Sequence, residues 1–367
     1  MPEQPIHYRI FDCWRFAAAL LVMAYHYLFF APGTDAPAAT DFLHRLLPLL
    51  DMFFMISGFL IMTLYAGRMN TVGDYGRFLR RRLARLYPLH VLTLLFFAAV
   101  AAAGAGGILS LHDPQRWTFR DVPLHLLAIH AWGTTDHLSF NYPSWSVSAE
   151  IFCYLLFPVV VVVARLGGTR ALIALLLAWV ALLEVLSRAG VFPSGHWTNA
   201  DTLGAYRAFA DFTAGAVAAC LVARRAFPVR SHLPGLLSLA LALAMMIAQG
   251  PVYPILALLF LAILLVGLSE TARPRSTAVL APLMVLTRVS FGIYILHSIP
   301  EIVFLSFGWR RVLEPAGSVG FYTWLLVPML ATIGLALLSH RFVEGRLGRL
   351  LSGGRKPASP DLRLAGA

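Results

Sequence analysis

The sequence predicts an all-α, polytopic membrane bundle of about ten transmembrane helices, with both termini on the cytoplasmic side. Three observations predict it. Hydrophobic residues make up 59% of the 367-residue chain and charged residues only 13%, against about 25% charged in a soluble domain; the mean hydropathy is +0.74. The apolar residues form continuous runs, long enough to cross hydrocarbon as helix, which takes about 20 residues. They do not alternate as membrane-barrel strands do. Finally, the basic residues, all arginine except Lys356, fall unevenly between those runs.

The predicted spans are 10–30, 46–66, 86–107, 144–164, 171–187, 205–223, 233–249, 253–270, 284–306 and 321–340. Alternate sides of ten spans carry 21 and 7 basic residues, and Arg15 lies inside a span. The minority is Arg45, Arg116, Arg120, Arg188, Arg207, Arg310 and Arg311. Positively charged loops stay inside, so the termini and the Arg-rich loops are expected in the cytoplasm. The net charge of +11 therefore reads as topology signal and lipid-headgroup contact rather than nucleic-acid binding. Cys13, Cys153 and Cys220 lie in apolar spans and form no CxxC, so no disulfide framework is expected. No cleavable signal peptide is apparent, and the first run reads as a permanent helix.

The longest stretch outside the spans is 108–143. Tryptophans in or near the outer segments, Trp145 among them, read as an interfacial belt, with sugar stacking as the alternative. Residues 8–345 are expected to form one membrane domain and 346–367 a basic cytoplasmic tail, disordered from Gly353 onward by its Gly, Pro, Ser and Ala content.

Charged side chains at mid-bilayer cost about 2.5–3.5 kcal/mol or more, so those inside the spans call for a purpose. Arg15 and His26 are eleven residues apart. At 100° per residue they share a helix face, about 16 Å apart along the axis. In the second span Asp51 lies toward the outside, either as an interfacial cap or as a functional acid, and Ser57-Gly58 lies deeper, where small residues permit close helix approach. Arg81, Arg82 and Arg85 share a face if their loop is helical, and guanidinium forks hold phosphates. Ser146 and Glu150 share a face of the fourth span. Glu150 is read at a depth comparable to His26, where a carboxylate orients an imidazole. Ser290, Tyr294 and His297 follow i, i+4, i+7 spacing in the ninth span.

These residues fall into five motifs in order. Arg15, ten residues, then His26 is the first. The others are Phe53-Phe54-Met55-Ile56-Ser57-Gly58-Phe59, Arg82-Leu83-Ala84-Arg85-Leu86-Tyr87-Pro88, Trp145-Ser146-Val147-Ser148-Ala149-Glu150, and Ser290-Phe291-Gly292-Ile293-Tyr294-Ile295-Leu296-His297. In this order they resemble the membrane acyltransferase-3 family of bacterial ten-helix acyltransferases, over about residues 8–345. The segment after Glu150, Ile151-Phe152-Cys153-Tyr154, departs from many members, and the hydrolase-like domain fused to some members is not expected here. The resemblance implies an O-acyltransferase of the bacterial inner membrane. It would move an acyl group, most commonly acetyl, from cytoplasmic acyl-CoA to a hydroxyl of a cell-surface polysaccharide or lipid-linked saccharide. Acyl-CoA is then donor substrate, with no bound cofactor and no metal expected. Arg82 and Arg85 would dock its phosphates, and its arm would pass Arg15. His26 would act as general base, oriented by Glu150 or Asp51, by direct transfer or through an acyl-histidine. Ser57, Trp145, Ser146, Tyr294 and His297 are expected along the substrate path. The competing reading of intramembrane Arg, His and Glu is a proton-coupled secondary transporter of a small anionic metabolite. It predicts two related halves, which the sequence lacks.

Overall fold

A computed structural model describes residues 6–111, 113–317 and 319–353. Their regular structure is helical, with no strand among them. In chain order the helices are α1 (Arg9–Leu28), α2 (Asp35–His44), α3 (Leu49–Tyr65), α4 (Val72–Ala105), α5 (Val122–Leu126), α6 (Trp145–Arg188), α7 (Gly204–Ala223), α8 (Leu233–Ile247) and α9 (Val252–Ala272). A broken run follows: α10 (Met284–Thr287), α11 (Ser290–Leu296), α12 (Ser298–Pro300), a widely wound π-helical stretch Glu301–Leu313, and α13 (Glu314–Ala316). The last helices are α14 (Phe321–Ser339) and the short α15 (Gly348–Ser352).

Among the described residues, seven helical segments are long and apolar enough to cross a membrane. Large apolar side chains such as Leu95, Leu177 and Leu330 lie exposed on the outside, where lipid rather than water is the compatible solvent. Charge sits within the bundle instead. α1 is 20 residues long and carries Arg9, Asp12, Arg15 and His26.

Local chemistry explains several boundaries. Thr71 and Asp74 form a reciprocal capping box at the start of α4, satisfying two orphan backbone N–H groups. The helix therefore begins well before the predicted span at 86, and Arg77 to Arg85 ride on it. α6 merges the predicted spans 144–164 and 171–187. It breaks at Gly168, whose φ of 65° and ψ of −159° lie in a region essentially reserved for glycine.

α7 is buried along nearly its whole length, because its Gly- and Ala-rich sequence lets neighbours crowd it from every side. Its closest partner is α3. A Cβ added at Gly58 would stand 1.9 Å from the Phe212 carbonyl oxygen, and one at Gly215 would stand 1.8 Å from that of Met55. The packing role read for Gly58 thus has a backbone reason.

Two expectations change. Arg207, assigned to the outer loops by the arginine count, is buried in α7. The expected tail from 346 begins as helix: α15 runs to Ser352, and Arg80 on α4 donates to the Ser352 carbonyl at 2.9 Å. The rest of the tail, after Gly353, lies outside the described residues.

Candidate active site

Two cavities and a cluster of side chains follow one another along α1 and α11. The first is an open cleft of about 620 Å³ at the end of the bundle that carries the Arg-rich part of α4. Its walls include Arg9, Asp12, Arg15, Arg85, Arg288, Ser290, Glu344 and Arg349. Five guanidinium groups against two carboxylates make it an anion-binding surface.

The second is a narrow cavity of about 60 Å³ deeper in the bundle. Arg15 and Arg85 stand in the walls of both cleft and cavity. Ser57, Arg82, Ser146, Glu150 and Tyr294 complete its polar lining. The Arg15 guanidinium stacks 4.6 Å from the centroid of Phe53, and that of Arg82 4.6 Å from Tyr65. Such stacking holds a buried cation while leaving its N–H donors for another partner.

The third lies at the far end of α1. The His26 ring stacks on His297, centroids 5.2 Å apart, and sits 4.4 Å from Tyr142. A ring nitrogen of each histidine and a carboxylate oxygen of Glu301 lie within 4.8 Å of one another. His297 Nδ1 donates to the Tyr294 carbonyl at 2.7 Å, and its Nε2 faces the Tyr142 hydroxyl at 3.1 Å. That hydroxyl donates to Glu301 at 2.5 Å. A tyrosine has one hydroxyl proton, so it cannot serve both Glu301 and an Nε2 lone pair. The trio therefore balances its hydrogen bonds only when it holds one further proton, on the imidazole or on the carboxyl group. The arrangement can take up and return a proton beside His26.

α11 ties the three together. Its Ser290 faces the cleft, Tyr294 the cavity, and His297 the far site, as the i, i+4, i+7 spacing allows. Tyr294 shares a hydrogen bond with Ser146 and packs 6.2 Å from the His297 ring. α1 runs alongside with Arg15 and His26 at the two ends, which agrees with the common face read from their spacing.

The carboxylates are distributed differently from expectation. Glu150 is hydrogen-bonded to Ser57 and shares the cavity with Arg15 and Arg82; no hydrogen bond joins it to His26 among the described residues. The reason lies in the segment before it. Asn141 is buried, bonded to Thr93 at 3.0 Å and to the Ile295 carbonyl at 3.1 Å, and Phe140 and Ser144 are buried too. The segment before α6 thus folds back into the bundle, α6 starts already within it, and Tyr142 takes the place beside His26. Asp51 does not orient His26 either: it forms a bidentate pair with Arg207. Trp145 is buried against Phe54 and Gly204 rather than lining the cavity.

Glu301 was not singled out from the sequence. The signal was present, since His297 and Glu301 are four apart on a helix, but the spacing alone did not say that Tyr142 and His26 would face them.

A family model described as an acyltransferase domain matches residues 8–340. The acyltransferase MdmB of Streptomyces mycarofaciens is 31% identical over 169 residues, 43% of this chain and 40% of that protein. The chain thus aligns with less than half the length of that relative. No solved structure matches. With the five motifs assembled around one axis of an apolar helical bundle, and the family model covering nearly the whole chain, this multi-pass membrane protein belongs to the acyltransferase-3 family.

Proposed function

We propose that the chain is an O-acyltransferase carrying an acyl group from cytoplasmic acyl-CoA to a hydroxyl on an extracytoplasmic or lipid-linked saccharide. In this reading the bundle crosses a bacterial inner membrane ten times: α1, α3, α4, the two halves of α6, α7, α8, α9, the α10–α13 run and α14. Both termini and the arginine cleft then face the cytoplasm, as the 21-to-7 distribution favours.

The observation that carries the reading is that Arg15 and Arg85 belong to both the cleft and the smaller cavity beside it. A polyanionic donor held in the cleft meets the cavity at these two arginines, and α11 continues from the cavity lining at Tyr294 to His297 beside His26. The CoA phosphates bind Arg85, Arg288 and Arg349, with Arg82 deeper, and the pantetheine arm enters past Arg15. The roughly 16 Å between Arg15 and His26 is the distance the arm must bridge. His26 takes the acceptor's hydroxyl proton as the oxygen attacks the thioester carbonyl. The C–S bond breaks, the C–O bond forms, and the departing thiolate receives that proton back. His297, Tyr142 and Glu301 hold His26 in place and buffer the proton in transit. Acetyl is the acyl group the family most commonly moves, and the walls formed by 108–143 meet the acceptor.

The test is deletion of the gene followed by mass spectrometry of the surface glycans, with complementation by wild type or His26→Ala. Acyl groups return with wild type and stay absent with His26→Ala. Their return with His26→Ala ends the catalytic assignment.

A further inference from the structure

The outer segment holds a group of side chains that acyl transfer does not use. His90 on α4 meets His125 on α5 and His130 just beyond it. All three are buried, at 1%, 2% and 3% exposure. The rings stack nearly parallel, His125 on His130 with centroids 3.8 Å apart and His90 on His130 at 5.7 Å. One ring nitrogen from each lies within 4.8 Å of the other two.

The hydrogen bonds around the three rings share one pattern. His90 Nε2 donates to the His125 carbonyl at 2.8 Å, His125 Nε2 pairs with Ser139 Oγ at 2.9 Å, and His130 Nε2 pairs with Ser144 Oγ at 3.1 Å. All three Nδ1 atoms are buried without a hydrogen-bond partner. An unpaired buried polar atom is destabilising, and here there are three together. Ring nitrogens fixed on one side by hydroxyl or carbonyl groups, and bare on the other, are the usual arrangement of metal-binding histidines. The His26, His297 and Glu301 group differs: both nitrogens of His297 already face partners.

We propose that His90, His125 and His130 bind a divalent zinc ion that clamps the outer segment onto α4. Neutral imidazoles suit zinc, and three of them leave a fourth position for water. Bonds of about 2.0–2.1 Å would draw the nitrogens to within ~3.4 Å of one another, and because the ion lies in the plane of each ring that binds it, the rings must turn out of their stack to receive it. The clamp reaches the active site through a short lever. Ser144, which holds His130, is two residues from Tyr142, which holds His297 and Glu301. Pinning this turn fixes Tyr142 against His26.

The experiment needs no substrate, so its result is independent of the acyl-transfer proposal. Full-length protein is purified in detergent through a histidine-free tag, incubated with excess zinc chloride, desalted, and its zinc measured by plasma mass spectrometry. Wild type and the exposed-site control His44→Ala should keep about one zinc per chain. His125→Ala and His130→Ala should lose it, and Ser139→Ala, which keeps all three rings, should bind ~10–100-fold more weakly. Should the histidine variants aggregate, Ser139→Ala decides. A monodisperse wild type without zinc, or undiminished affinity in Ser139→Ala, overturns the proposal.

Discussion

The hydroxyl of Tyr142 donates to the carboxylate of Glu301 at 2.5 Å and also faces His297 Nε2 at 3.1 Å. The two residues are far apart in the chain, one in the turn before α6 and one in the π-helical stretch after α12. Their meeting makes Glu301 the carboxylate nearest the His26 end of the path. Replacing it with glutamine keeps the shape and removes the charge. Glu301→Gln is expected to lower kcat by ~10²-fold or more while leaving KM for acyl-CoA nearly unchanged. Steady-state transfer in membranes measures both, and a wild-type kcat would remove Glu301 from the proton path.

The arginine cleft predicts the opposite split. Arg288 and Arg349 line it far from His26, so Arg288→Ala and Arg349→Ala should act on donor binding alone. A charge-assisted hydrogen bond contributes about 1.5–3 kcal/mol, which corresponds to a ~10–100-fold rise in KM for acyl-CoA. The effect should weaken when short acyl-pantetheine, lacking the nucleotide phosphates, replaces the donor. Equal losses with both donors would place the phosphates elsewhere.

Asp51 and Arg207 predict a stability effect. Their bonds, 2.6 Å from Nε to Oδ1 and 2.8 Å from Nη2 to Oδ2, lie between α3 and α7 with Asp211 buried beside them. Breaking a buried pair by removing one charge costs about 3–5 kcal/mol. Asp51→Asn should therefore unfold at clearly lower temperature in detergent, yet retain a wild-type pH profile of transfer in whatever fraction folds. A shifted profile would restore Asp51 to the role of orienting His26.

Gly58 and Gly215 predict a steric effect of a different kind. Any side chain there strikes backbone rather than a movable side chain, at 1.9 Å and 1.8 Å. Overpacking usually costs about 1–3 kcal/mol, and with no rotamer to yield, α3 and α7 must separate. Gly215→Ala should lower folded yield by size-exclusion chromatography, whereas Gly334→Ala, which meets nothing within 4 Å, should match wild type. Equal yields of both would show that the two backbones are not in contact.

Much of this molecule is local and was legible in the sequence. Composition set the solvent, and the lengths of the apolar runs marked the helices. Helical periodicity alone placed Arg15 with His26 and lined up Ser290, Tyr294 and His297, because positions a few turns apart on one helix have fixed angles. The five motifs named part of each lining: Arg15, Arg85 and Ser290 at the cleft, Ser57, Arg82, Ser146, Glu150 and Tyr294 at the cavity, and His26 and His297 at the far site. Only the tertiary structure decided which acid serves which base. Glu150 was assigned to His26 by counting from the start of its span, but residues 139–144 fold inward and begin α6 at depth, so Glu150 meets Ser57 and the arginines. Asp51 went to Arg207, a residue the loop count had placed outside. His90, His125 and His130 are brought together only by the fold of the segment between α4 and α6. Depth and partnership across helices depend on contacts between distant parts of the chain, which periodicity within one helix does not encode.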